Sequence, residues 1–178
     1  MEQLVLDMLA LAQPINASGS SSAFEPVSLT QLAQRASLQF EAVAFERGLL
    51  VDDNVESDVT ILGDATQLQR MIGTLVDNAI KYATADSTIS ITLKSAGQNG
   101  ILSVHNWGDP IDPNDLPHVF ARFYRSDKSR DRSTEEGSHS FGLGLAIAQK
   151  IATQHGGTLT VTSSEAEGTT FTACFPLA

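Results

Sequence analysis

The sequence predicts an α/β fold, a two-layer sandwich with helices stacked on a mixed, mostly antiparallel sheet. Three observations lead there. Between 64 and 83, apolar Leu68, Ile72, Leu75, Val76, Ala79, Ile80 and Ala83 recur at the spacing of one helix face. Strand-like runs come in pairs, 88–94 with 100–105 and 158–163 with 168–176. Two more helical segments, 30–47 and 142–155, are interspersed among them. The 178 residues, 42% of them hydrophobic, suit one domain with a real core.

Taken in order, residues 2–12 read as a short helix with apolar Leu4, Val5, Met8, Leu9 and Leu11, stopped at Pro14. The Ser/Gly-rich stretch from Asn16 to Ser22 is a linker. Pro26 to Leu29 reads as an edge strand leading into Ser28 or Thr30 as a helix cap, and the helix that follows ends at Gly48. Strands are expected at 49–53 and 58–62. Asp64 caps the periodic helix, whose other stripe holds Arg70, Thr74, Asp77, Asn78 and Lys81. Gly97 to Gly100 is a turn between two strands. From 106 to 140 the chain is rich in Gly, Pro, Asp, Ser and Arg, with one short helix expected from Pro113 to Phe120. So long a stretch with so little structure is usually disordered or functional.

A formal charge of −10 argues against nucleic acid as a partner. Yet Arg122, Arg125, Lys128, Arg130 and Arg132 gather within that stretch, which on an acidic chain suggests one small bound anion. No run of about 18 apolar residues is present to span a membrane, and Met1-Glu2-Gln3-Leu4 does not resemble a signal peptide. The single Cys174 reads as a buried strand cysteine.

Three motifs carry possible chemistry. In Asp77-Asn78-Ala79-Ile80-Lys81-Tyr82, Asn78 and Lys81 share a helix face. An amide oxygen suits a hard cation such as Mg²⁺ and a lysine suits phosphate, although a solvated polar face would look the same. Asn106-Trp107-Gly108-Asp109-Pro110-Ile111 follows a strand directly; it is either a strand-ending turn or a loop that brings backbone to a ligand, with Asn106 able to accept from an exocyclic amine. Ser140-Phe141-Gly142-Leu143-Gly144-Leu145 opens a helix with glycines, which lets bare N–H groups face an anion. No Gly-Lys-Ser/Thr follows, and no strand leads in, so neither the P-loop nor the dinucleotide fingerprint applies.

These motifs, with Phe120-Ala121-Arg122-Phe123-Tyr124-Arg125 between the second and third, stand in one order. That order resembles the catalytic domain of sensor histidine kinases in the GHKL ATPase superfamily, over about residues 26–177. The N-x-G-x-P-I form is similar to the heavy-metal sensor kinase branch. The resemblance implies three main helices on one sheet face, with ATP between the 64–83 helix and a lid over about Ser126 to Ser140. It implies Asn78 as the Mg²⁺ ligand, Lys81 as a phosphate contact, Tyr82 packed on adenine, and Asn106 where the family has an adenine-reading aspartate. Arg125, beside a packed Phe123, would reach the transferred phosphate, making Asn78, Lys81 and Arg125 the catalytic set. Gly142 and Gly144 would place N–H groups on the phosphates; Thr74, Gly108, Ile111, Phe120, Leu143, Leu145 and Thr169 would complete the nucleotide site.

Three positions depart from the family pattern. Thr74 replaces the first asparagine of the helix motif, where the hydrolysing gyrase and chaperone relatives carry a glutamate base. Threonine cannot be that base, which favours transfer to a protein over hydrolysis. Ser140 and Pro110 replace glycines, which bears on affinity. None of His105, His118, His139 and His155 stands in the family's H-E-x-x-x-P context, so the phosphoacceptor is expected on a separate dimerisation domain. His105 and His155 are read as structural. The implied division is residues 1–15 as the end of a dimerisation helix, 16–25 as linker and 26–178 as the catalytic domain. The implied partners are ATP or ADP, that phosphoacceptor domain and, through it, a response regulator, with this fragment monomeric and the full protein a dimer. The implied location is the cytoplasmic side of a membrane sensor.

Overall fold

A computed structural model describes residues 24–124 and 142–178. The helix expected at 2–12, the linker, the lid, Arg125, His139 and Ser140 lie outside these.

Local chemistry sets the first elements. Strand β1 (Glu25–Ser28) hands over to helix α1 (Leu29–Glu46), and Ser28 Oγ accepts from the Gln31 N–H as its N-cap. Gly48, in the left-handed region at φ 69°, ends the helix and releases the chain into β2 (Leu50–Val55). After β3 (Thr60–Gly63), Asp64 accepts from the Thr66 and Gln67 N–H groups and starts α2 (Ala65–Tyr82). The hairpin β4 (Thr88–Ala96) and β5 (Asn99–Asn106) turns at Gly97, φ 62°. The helix expected at 113–120 shrinks to one 3₁₀ turn, Leu116–His118. Its sequence explains this, since Pro117 lies inside the turn and Pro113 just before it. Helix α3 (Gly144–Gln154) and the hairpin β6 (Thr158–Ser164) and β7 (Gly168–Pro176) follow.

Five strands form the main sheet in the order β2-β4-β5-β7-β6, with only β2–β4 parallel. The strand read at 58–62 does not join it; β3 pairs antiparallel with β1 in a separate two-stranded sheet. One sheet face is covered. Ile89, Ile91, Leu93, Leu102, Val104, Phe171, Ala173 and Phe175 point into the core against Leu68, Ile72, Leu75, Val76 and Ile147 of the helices. The alternate residues Ser90, Thr92, Ser103, Thr170 and Thr172 are half-exposed, so the other face stays wet. Cys174 belongs to that open face and is only half-buried, which corrects its expected burial.

His155 ties the layers together. Its Nε2 accepts from the Asp64 N–H at 3.0 Å, leaving Nδ1 to donate to the Ile151 carbonyl at 2.8 Å. Phe24 stacks on its ring at 4.6 Å. The N-terminus of α2 is thus fixed to the C-terminus of α3 by a structural histidine, as expected.

Candidate functional site

The site lies where three chain segments meet at one end of the helical layer. Helix α2 supplies Thr74, Asn78, Lys81 and Tyr82, all half-buried. Thr74 donates to the Arg70 carbonyl one turn back, at 2.9 Å. Lys81 Nζ stands 5.4 Å from the centre of the Tyr82 ring.

The loop after β5 is latched to the end of that helix. Thr84 N donates to the Trp107 carbonyl at 2.7 Å, and a β-carbon at 108 would overlap the Tyr82 carbonyl oxygen. Only glycine lets the two backbones come so close. Ile111 N donates to Ser163 Oγ at 2.9 Å, and Ser163 Oγ lies 2.7 Å from Thr169 Oγ1. Thr169 in turn faces Asn106 in the β5–β7 register. Asn106 and Thr169 are both buried, and among the described residues Asn106 Nδ2 has no hydrogen-bond partner.

Helix α3 brings the third wall. Leu143 is its N-cap residue and makes no side-chain cap bond, and the first N–H groups of a helix have no acceptor within the helix itself. Gly144 sits beside Thr74, where a β-carbon would stand 3.2 Å from the threonine methyl. The Leu143 side chain is buried in the core, and the half-buried Leu145 packs against it. Gly142 at φ 69° accepts from Phe123 N at 3.0 Å. That bond pins together the two ends of the segment between them.

One aromatic residue departs from the place expected of it. Phe120 is the packed ring, edge-on to Phe171 at 6.1 Å. Phe123 is 57% exposed and holds a left-handed φ of 62°, correcting its reading as packed. Tyr124 instead anchors the region by donating to Asp115. Burial first, and then the neighbouring Arg122 guanidinium, lower the pKa of Lys150 on α3. His105 bonds the Glu167 carbonyl through Nε2 at 3.0 Å and has a structural part. Ser163 was not visible as a site residue in the sequence. Its signal was the hairpin register, which pairs it with Thr169.

Residues 63–178 match the family model described as histidine kinase-, DNA gyrase B-, and HSP90-like ATPase. The chain belongs to that ATPase family. Among curated relatives, the sensor histidine kinase RppB of Synechocystis is 34% identical over 99% of this chain and 38% of its own length. The sensor histidine kinase CusS of Escherichia coli is 36% identical over 99% of this chain and 35% of its own. The full-length structure of ShkA in complex with AMPPNP is 25% identical, with a TM-score of 0.81 over 99% of this chain and 35% of that one. The chain thus spans 38% or less of the length of these relatives. Family membership supports ATP as the nucleotide of the ATPase-type sandwich. Among the described residues, no helix is long and apolar enough to cross a membrane.

Proposed function

We propose that this chain binds Mg-ATP and transfers its γ-phosphate to a histidine on a separate dimerisation domain, which then serves a response regulator. The observation that carries the reading is the uncapped start of α3 beside Thr74, on the polar stripe of α2 that also bears Asn78 and Lys81. A helix N-terminus without its own acceptor suits a polyphosphate.

Each residue has one task. The first N–H groups of α3 and Lys81 hold phosphate oxygens. Asn106, with Thr169 and Ser163 beside it, reads the base edge. Arg125 meets the transferred phosphate. Among the described residues no three His, Cys, Asp or Glu side chains gather into a metal cage. The Asn78 amide oxygen is a hard donor that would hold Mg²⁺ together with phosphate and water, and Mg²⁺ would supply charge neutralisation. Thr74 is no general base, so water is not activated from that position and positioning carries most of the catalysis. Residues 1–15 as a dimerisation helix, 16–25 as linker and 26–178 as the catalytic unit belong to the same reading, as does a place on the cytoplasmic side of a membrane sensor, in a dimer.

The test mixes the chain with the phosphoacceptor domain of a relative such as RppB and γ-labelled ATP. Acid-labile, base-stable label on that domain is expected. Acid-stable label would make it a serine kinase, free phosphate alone an ATPase, and nucleotide binding without transfer a binding module.

A further inference from the structure

Asn106 closes β5 with its side chain 2% exposed, and among the described residues its buried Nδ2 has no hydrogen-bond partner. Buried amides are nearly always paired, so an orphan in a candidate ligand site points to an acceptor that is brought in. Its neighbours have no fixed polarity either. Thr169, opposite it in the register, shares a 2.7 Å contact with Ser163 in which either hydroxyl can donate. An amide turned end over end exchanges donor and acceptor with almost no change of shape.

That reversibility bears on which base fits. Adenine presents an amine donor at C6 beside the N1 acceptor. A 6-oxopurine presents the opposite, an oxygen acceptor beside an N1–H donor. A carboxylate at this position has acceptors only; it pairs with the amine and opposes the oxo group. An amide answers both patterns. We propose that Asn106 makes the site accept 6-oxopurine nucleoside triphosphates alongside ATP, and that the residue at 106 sets base selectivity. The inference rests on the nucleotide reading above and deepens it.

Inosine triphosphate isolates the point, because it differs from ATP only along this base edge. Calorimetric titration of the chain with MgATP and MgITP is expected to give affinities within about tenfold of each other. In Asn106→Asp the gap should open to about 100-fold through loss of ITP, the scale on which a two-bond amide–base pair discriminates. Rejection of ITP by about 100-fold in the unaltered chain overturns the proposal, as does an unchanged ratio in Asn106→Asp. If that variant does not fold, the ratio in the unaltered chain decides alone. Binding of neither nucleotide would sink the underlying nucleotide reading, whereas tight ATP with no ITP sinks only this one.

Discussion

A methyl group at position 108 would overlap the Tyr82 carbonyl oxygen, so Gly108→Ala must push the loop off the end of α2. We expect the variant to lose about 1–3 kcal/mol of stability through strain and at least about tenfold in ATP affinity. Gly97→Ala is the control, since a β-carbon there meets nothing within 4 Å and bears only the cost of φ 62°. Equal losses in the two variants, by thermal melt and calorimetry, would show that the latch does not shape the site. Phe123 holds the same kind of backbone with a bulky ring more than half exposed. Asparagine tolerates that region better. Phe123→Asn should therefore stabilise the chain by about 0.5–1 kcal/mol, and a lower melting temperature would contradict this.

Between elements, two ties join neighbours within each layer. His155 joins α2 to α3 through Asp64 N and the Ile151 carbonyl, and it carries Phe24 on its face. His155→Ala strands a backbone donor and opens a cavity, and urea unfolding should register a loss of about 3 kcal/mol. A loss under about 1 kcal/mol would mean that water replaces the ring. The other tie joins the loop after β2 to β4, where the Glu56 carboxylate accepts from Ser95 N at 2.6 Å and Oγ at 2.9 Å. The backbone bond first, then the hydroxyl, hold its pKa below the usual 4.5. A lowered pKa adds stability above 4.5 that disappears as pH falls through the lowered value. Glu56→Gln should flatten the stability profile in that acid window and leave its shape at neutral pH unchanged, as read by melts across pH 3–7.

Over the whole molecule, periodic and punctuated segments were legible and contacts across the fold were not. The α2 helix declared itself through Asp64 and its apolar stripe, and both hairpins through alternation. The separate β1–β3 sheet had no such signal, because a short β-branched run reads the same wherever it pairs. Within the candidate site, motif order pointed to Asn78, Asn106 and Gly144. It could not reveal that Ser163 links Ile111 to Thr169, since that link exists only through strand register. Nor could it tell that Phe123 is exposed while Phe120 packs edge-on to Phe171 across the fold.

The position of β7 has a consequence for the order in which a ribosome makes the chain. Among the described strands it is the last in chain order, yet it sits inside the sheet, between β5 and β6. Until it arrives, β5 is an open edge and Leu102 and Val104 lack their partners Ala173 and Phe171. Thr169, which faces Asn106, arrives with it. A nascent chain halted before residue 168 should therefore gain no protease resistance from ATP, while one extruded through 176 should. Protection by nucleotide at the earlier halt would mean that the site assembles before the sheet closes.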